Sequence, residues 1–222
     1  MIKKCSNCRL VNYPDAILCV RCDTDLSAPA TVKGKRSTRF LVRAAVCLCV
    51  CLAALFGFYL SLIASAKSLT LDEKKAVRAA IQILKDKGFS REAMMLENFT
   101  VYRSNDNWLN ASVEKENAYA ATNFPFEIMT LYPEFFTIPV DDTERAAILL
   151  HEARHLQGKD EEDAYRFVWK NRQKFGWTQD AYNDSHIWKG VRKQTREYAP
   201  DLFVCEQNEF GDCTGRQFLN PP

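Results

Sequence analysis

The sequence predicts a chain of three parts: a small cysteine-rich module, one membrane-spanning helix and an α+β domain. Three observations lead to this prediction. Two C-x-x-C pairs lie near the N-terminus, residues 44–66 carry no charge, and the rest of the chain mixes capped helical segments with short β-rich ones. The predicted parts are 1–27, a basic linker over 28–43, the apolar helix over 44–66 and the α+β domain over 67–222.

The first part contains four cysteines, Cys5, Cys8, Cys19 and Cys22. Each C-x-x-C turn presents two sulfurs to one ion, and the ten residues between the pairs bring the chain back to complete a tetrahedron. This spacing predicts a structural zinc site, because four protein ligands leave no coordination position open. A redox-active pair is disfavoured for the same reason. With so few apolar residues, the module should fold only with zinc bound.

Residues 3–26 resemble the short zinc-ribbon modules found at the N-termini of many prokaryotic membrane proteins. The resemblance includes the Asn12-Tyr-Pro-Asp-Ala16 segment before the second cysteine pair. The chain departs from the pattern at Arg9 and Asp23, where such modules often have glycine. A ribbon of this kind is a candidate for docking a cytoplasmic protein partner, which the sequence does not name.

The uncharged stretch over 44–66 is 23 residues long. About 20 apolar residues span a bilayer core as a helix, so a transmembrane helix is predicted. Ala64-Ser65-Ala66 resembles the cleavage site of a secretory signal, but the apolar region of such a signal is shorter and does not follow a long N-terminal segment. We therefore expect a retained signal anchor.

Positive charge on the N-terminal flank predicts the orientation of this helix. The basic residues there are Lys33, Lys35, Arg36, Arg39 and Arg43. By the positive-inside rule the ribbon is cytoplasmic, its basic linker can lie against anionic lipid, and 67–222 is extracytoplasmic. Zinc thiolates would then lie on the reducing side, and Cys205 and Cys213 could form a disulfide on the oxidising side or remain free thiols. The net charge of +2 gives no indication of nucleic-acid binding.

The third part begins with a capping box, Thr70-Leu-Asp-Glu73, at the start of an amphipathic helix. Short segments rich in β-formers follow, separated by Asn, Asp and Pro. They predict a small, mainly antiparallel sheet. The segments are Phe99–Arg103, Trp108–Val113, Ala118–Ala121 and Phe126–Leu131.

An H-E-x-x-H motif, from His151 to His155, lies in an apolar helical stretch that Asp141 and Glu144 can cap and Gly158 can end. Residues four apart lie on one face of a helix, so both imidazoles can reach one zinc ion. Glu152 stands beside the first of these ligands. Two of the three histidines of the chain fall in this motif.

A third ligand is expected from the next helix, which Asp160 can cap and which should run toward Lys174. Helical phase places Glu161 on the apolar face that contains Ala164 and Val168, whereas Glu162 lies well off it. Glu161 is therefore the predicted ligand and Glu162 the second candidate. Both also suit the first turn of a helix, where the dipole favours acidic residues.

Leu149–Tyr165 resembles the zincin metallopeptidases, and a weaker likeness extends over Phe126–Phe136. The resemblance implies an α+β zincin-like domain in which an edge strand before the active helix holds extended peptide. Glu161 with Ala164-Tyr165 looks like the third-ligand helix of glutamate-type zincins. Gly158 and the six-residue step from His155 to Glu161 are similar to the arrangement of metzincins, with Glu in place of their last His, but no methionine follows the motif to form a Met-turn. The subfamily stays open.

The resemblance implies hydrolysis of peptide or protein substrates outside the cytoplasm, with Glu152 as the base for a zinc-bound water. Candidates for steadying the oxyanion or contacting substrate are Tyr165, Tyr182, His186 and Arg154. Two alternatives remain. One is an inactive zincin-like scaffold whose ribbon docks a cytoplasmic partner, and the other is a metal-dependent hydrolase that acts on a non-peptide bond.

Overall fold

The computed structural model describes residues 2–27, 35–109, 111, 119–123, 126–205 and 211–214. The chain divides into two compact units, Met1–Leu55 and Phe56–Pro222. The described residues form an α+β structure with eight α-helices. The helices are α1 (Lys35–Ala64), α2 (Leu71–Asp86), α3 (Ser90–Asn98), α4 (Pro133–Thr137), α5 (Asp142–His155), α6 (Glu161–Asn171), α7 (Gln179–Tyr182) and α8 (His186–Tyr198). The strands are β1 (Lys3–Lys4), β2 (Val11–Asn12), β3 (Val101–Arg103), β4 (Ala120–Asn123) and β5 (Ile128–Leu131).

The first unit contains a short hairpin and the start of α1. β1 and β2 pair antiparallel, with Lys3 opposite Asn12. Within α1, Phe40–Ala64 is a stretch of 25 residues that is long and apolar enough to cross a membrane.

The sheet of the second unit differs from the predicted, mainly antiparallel one. Its strand order is β3-β5-β4, with β5 parallel to β3 and antiparallel to β4. β5, the last of the three strands in the chain, is therefore the central one. The strand predicted over Trp108–Val113 is wrong at Trp108 and Leu109, which form a turn, while Asn110, Ser112 and Val113 lie outside the described residues.

α5 occupies the centre of the second unit, in contact with α2, α3, α6 and β4. Its position follows from its sequence, since all five residues from Ala146 to Leu150 are buried. The Asp141 carboxylate accepts from the backbone N–H groups of Thr143 and Glu144, which confirms the predicted N-cap. The capping box over Thr70–Glu73 is also confirmed, with both of its bonds present at the start of α2.

Glu144 does not complete a second capping box. Its side chain is fully buried, where it accepts hydrogen bonds from the backbone N–H of Val140, the indole of Trp177 and the hydroxyl of Ser185. A buried carboxylate needs several donors. These three tie the beginning of α5 to the segments around α7 and α8, so the helix that carries the H-E-x-x-H motif is fixed at its first turn.

Candidate functional site

His151 and His155 lie one helical turn apart on α5, with their ring centroids 4.7 Å apart. Their Nε2 atoms are 3.0 Å apart and therefore address the same point in space. The backbone carbonyl of Lys159 lies 2.9 Å from Nδ1 of His155. A carbonyl at this position fixes the orientation of the ring and directs Nε2 away from it.

A tight turn brings the next helix back toward these imidazoles. α5 ends at His155, three residues before the predicted Gly158, and Gly158 adopts a positive φ of 71° that allows the reversal. α6 then begins at Glu161, where the Asp160 side chain accepts from the backbone N–H of Asp163, as predicted. α6 ends at Asn171, so the stretch as far as Lys174 is continued by a short 3₁₀ turn.

This turn places the Glu161 carboxylate against both histidines. Its Oε2 is 3.2 Å from Nε2 of His151, and its Oε1 is 3.3 Å from Nε2 of His155. Zinc bonds of about 2.0–2.1 Å in a tetrahedron separate neighbouring ligand atoms by roughly 3.3 Å. The three side chains thus fit one ion, and they form one of two groups of described residues that could hold a metal.

Glu161 and His155 also affect each other's protonation. Burial lowers the pKa of His155, but the hydrogen bond to Glu161, the charge of Glu152 and the Lys159 carbonyl outweigh it and raise the pKa to about 9. Hydrogen bonds from His151 and His155 hold the pKa of Glu161 well below its usual range. Without metal, the pair is therefore an imidazolium–carboxylate ion pair at neutral pH.

Arg154, inside the H-E-x-x-H motif, holds α6 in register with α5. Its guanidinium donates two hydrogen bonds to Oδ1 of Asp163, at 2.9 and 2.7 Å, and lies 4.4 Å from the ring centre of Phe167. Asp163 is two residues beyond Glu161 on the same helical turn. Arg154 is therefore engaged in joining the two helices, and it is not directed toward the cleft as an oxyanion contact.

Glu152 is nearly buried, with 7% of its surface exposed. Thr122, on β4, donates a hydrogen bond of 2.6 Å to its Oε2. This bond joins the edge of the sheet to the carboxylate and orients it. Thr122 was missed at the sequence level because the predicted strand ended at Ala121, although the alternation of a strand would have placed Thr122 on the same face as Ala120.

Two cavities meet at Glu152 and Glu161. The larger, about 510 Å³, lies between β4 and the α5–α6 turn and is lined by Ala120, Thr122, His155 and Lys159 among others. The smaller, about 240 Å³, lies on the other side and is bordered mainly by α5, α6 and α8. Its lining combines apolar and aromatic side chains with the polar groups of His151, Glu152, Glu161 and Gln194; the apolar and aromatic ones include Tyr119, Ala147, Ile148, Val168, Val191 and Tyr198.

Of the other residues predicted for the site, only one lies beside the two histidines. The Tyr165 ring lies 4.4 Å from that of His151, and its hydroxyl donates to Gln194 at 2.6 Å. Glu162, the second candidate ligand, is paired with Arg166 at 2.8 Å and is directed away from the imidazoles. Tyr182 donates to Asp141 at the far end of α5, and His186 is exposed at the start of α8. Neither Tyr182 nor His186 lines the two cavities.

The four N-terminal cysteines also converge and could hold a metal ion such as zinc. Sγ of Cys5 lies 3.6 Å from that of Cys22, and Sγ of Cys8 lies 3.5 Å from that of Cys19. Hydrogen bonds from the hydroxyl and the backbone of Thr24 lower the pKa of Cys22 to about 6. A thiolate is the form that binds zinc, so Thr24 favours the metal-binding form of Cys22.

A disulfide links Cys205 and Cys213 in the second unit. The segment that it closes supplies Asp212, whose carboxylate pairs with the buried guanidinium of Arg172 at 2.6 Å. Arg172 lies over the ring of Trp169, 4.3 Å from its centre. The disulfide thus holds in place the acidic partner of a buried cation beneath α6.

No protein family, curated protein or solved structure matches this chain.

Proposed function

We propose that this chain is a membrane-anchored, zinc-dependent peptidase with a zincin-like second unit. The observation that carries the proposal is the position of three ligand atoms, on His151, His155 and Glu161, at the spacing of a tetrahedral ion. Glu152 faces the same cleft. Three protein ligands leave one coordination position open, as catalytic zinc sites do and structural ones do not.

A zinc ion held there would polarise the scissile carbonyl and lower the pKa of a water molecule toward ~7. In the proposed reaction Glu152 takes up the proton of the attacking water on its carboxylate and passes it to the leaving amine. Thr122 keeps the carboxylate in one orientation through its bond to Oε2. Tyr165 packs against His151 and supports that ligand, with its own hydroxyl engaged by Gln194.

The substrate that best suits this cleft is an extended peptide. β4 is an end strand in the sheet order, and its residues Ala120–Thr122 line the larger cavity. A peptide can add to such a strand through backbone hydrogen bonds. One of its side chains would then enter the smaller cavity, which presents both apolar and polar groups.

The proposed topology places the ribbon in the cytoplasm and the second unit outside it. Two observations support this. The four ribbon cysteines are free thiols arranged for zinc, whereas Cys205 and Cys213 are joined in a disulfide. Thiols persist in reducing compartments and disulfides in oxidising ones, and the basic flank of α1 favours the same orientation. The ribbon would then be available to a cytoplasmic protein partner.

The proposal is tested with the full chain in detergent, a mixed peptide library and mass spectrometry of the products. Glu152→Gln should lower the cleavage rate by about 10²–10⁴-fold, since it removes the base, while the zinc content stays unchanged. Glu162→Gln is the matched control, because that carboxylate pairs with Arg166, and it should cleave normally. Cleavage that survives Glu152→Gln would reject the mechanism. A zinc-loaded wild type that cleaves no peptide would favour the scaffold alternative.

A further inference from the structure

The last turns of α1 belong to the second unit rather than to a free linker. Leu62 is completely buried. Nε of Arg103, at the end of β3, donates to the backbone carbonyl of Ile63 at 3.2 Å, and the backbone N–H of Trp108 donates to the Ser65 hydroxyl at 3.3 Å. The end of the apolar helix is therefore fixed to the loop that follows β3.

Aromatic side chains gather where the helix and this loop meet. We call Phe58, Tyr59, Trp108 and Phe126 the aromatic collar. The ring of Phe58 lies 5.4 Å from that of Trp108 and 5.4 Å from that of Phe126, and Tyr59 stacks on Phe126 at 6.5 Å. Two of the four rings come from α1, one from the loop after β3, and one from the turn between β4 and β5.

The exposure of Trp108 is unlike that of the other tryptophans. Trp169, Trp177 and Trp188 are at most 1% exposed, whereas Trp108 is 49% exposed although its indole N–H donates to the Ser61 hydroxyl at 3.2 Å. Leu60, on the same part of the helix, is 46% exposed. A large aromatic ring that is anchored by its polar edge, beside exposed apolar side chains, suits an apolar neighbour outside the chain.

The position of the collar along α1 indicates what this neighbour is. The apolar stretch ends at Ala64. Ser61, which binds Trp108, is three residues earlier, or about 5 Å along the helix axis. An apolar helix of this length fills the ~30 Å core of a bilayer, so its last turns lie near the boundary of hydrocarbon and headgroups. Tryptophan and tyrosine concentrate at this boundary, because their rings are apolar with one polar edge.

We propose that the aromatic collar is a membrane seat, which inserts the side chains of Trp108 and Phe126 into the interfacial layer of the bilayer. This inference rests on the membrane anchor of the proposed function. The partner is the lipid interface itself, and Trp108 is the side chain that enters it from the loop. Phe126 enters from the turn and packs on the helix through Phe58 and Tyr59.

The seat is continuous with the cleft. Asn107, which is fully buried beside Trp108, donates to the side chain of Asn123 at 2.9 Å. Asn123 is the last residue of β4, and Thr122 before it binds Glu152. Four residues of extended chain span at most about 14 Å, which limits the distance from Thr122 to Phe126. The seat thus keeps the cleft strand close to the bilayer surface.

The experiment measures the depth of Trp108 by fluorescence. The full chain is reconstituted into phosphatidylcholine vesicles whose acyl chains carry bromine, a contact quencher, near the headgroup or near the chain end. The three buried tryptophans are shielded from the bromine. We therefore expect bromine to quench only the part of the emission that comes from Trp108, one of the four tryptophans of the chain. Shallow bromine should quench more than deep bromine. Trp108→Phe should abolish this quenching and leave the core emission maximum unchanged, which shows that the variant is folded.

Three outcomes would count against the seat, and they are distinguishable. If the chain binds vesicles but Trp108 is quenched by aqueous iodide and by neither brominated lipid, the seat alone is wrong. Stronger quenching by deep bromine than by shallow bromine also overturns it, because Trp108 would then lie inside the hydrocarbon. A chain that does not float with vesicles in a density gradient overturns the anchor as well. Peptide cleavage in detergent, measured with Glu152→Gln, is independent of all three.

Discussion

Glu161 and Glu162 are adjacent and chemically identical, yet they face different partners. Glu161 contacts the two imidazoles, and Glu162 pairs with Arg166 on the surface. The difference is one of helical phase, because a step of one residue turns a side chain by about 100° around the axis. Helical phase could be read from the sequence, and it predicts Glu161 as the ligand. Whether the Glu161 carboxylate reaches the imidazoles depends on the turn at Gly158, which sets the direction of α6.

We predict that Glu161→Gln weakens zinc binding at the histidine site while Glu162→Gln does not. Loss of residues that only support a ligand already costs about 10–100-fold in affinity, so loss of the ligand itself should cost at least as much. Competition with a chelator measures the effect. Cobalt substitution separates this site from the ribbon, because only thiolate ligands give an intense near-ultraviolet absorption. Equal weakening in both variants would show that Glu161 is not a ligand.

The raised pKa of His155 predicts a pH dependence of metal binding. In the metal-free chain His155 holds a proton up to about pH 9. Zinc needs the neutral imidazole, so binding must displace this proton, and lowering the pH opposes it. Below the pKa of His155, we expect the zinc affinity of this site to increase by up to about tenfold for each unit by which the pH is raised, as for one displaced proton. Above that pKa the affinity should level off.

Glu161→Gln provides the control for this pH dependence. Without the carboxylate the pKa of His155 should fall, and affinity should level off at a lower pH than in the wild type. Cobalt titrations over a pH series record both curves. An affinity that does not change between pH 6 and pH 8 would contradict the ion pair between His155 and Glu161.

Among the elements, the N-terminal module that we propose to be a zinc ribbon contains two positions of backbone strain. Arg9 and Asp23 follow the two C-x-x-C pairs and have positive φ values of 64° and 52°. The sequence had marked both as departures from the glycine that such modules often use. The turns form nevertheless, since the backbone N–H of Arg9 and that of Asp23 bond to the carbonyls of Cys5 and Cys19 at 3.1 and 2.9 Å.

We predict that Arg9→Gly and Asp23→Gly each stabilise the ribbon, by about 1 kcal/mol, because glycine adopts this conformation without steric cost. The measurement is the half-life of ribbon cobalt against a chelator, followed by its thiolate absorption. Arg21→Gly is the matched control. Its φ is not positive, so glycine there only adds freedom to the unfolded chain and should shorten the half-life. A shorter half-life in all three variants would reject the strain.

The elements that the sequence predicted well are those with local signals. α2, α5 and α6 begin at residues whose caps are visible in the sequence, and the apolar run from Ala146 to Leu150 predicts a helix that is buried on several sides. The sheet was harder, because strand pairing is a long-range property. Trp108 is a strong β-former, but its contact with Ser61, 47 residues away, determines its place. No local pattern contains that information.

At the scale of the whole molecule, the buried Arg172 links the C-terminal segment to the core beneath α6. Its guanidinium is 5% exposed, and Asp212 is its acidic partner. Burial lowers the pKa of Arg172, and the charge of Asp212 opposes this effect. Removal of one member of a buried pair leaves an uncompensated charge, which costs about 3–5 kcal/mol.

We therefore predict that Asp212→Asn lowers the free energy of unfolding by about 3–5 kcal/mol. Reduction of the Cys205–Cys213 disulfide should destabilise the same unit. Its effect should be smaller in Asp212→Asn than in the wild type, because both changes disrupt the contact between Asp212 and Arg172. Thermal unfolding followed by near-ultraviolet circular dichroism measures both. Asp201→Asn, which breaks an exposed pair with Arg166, should change the midpoint little. Fully additive effects would show that the disulfide and Asp212 act independently.

The proposed reaction depends above all on a metal ion at the histidine pair. The zinc content of the purified full chain can be measured by atomic emission. We expect two zinc ions per chain in the wild type and one in His151→Ala, with the ribbon ion retained. One zinc ion per chain in both proteins would show that His151, His155 and Glu161 hold no zinc.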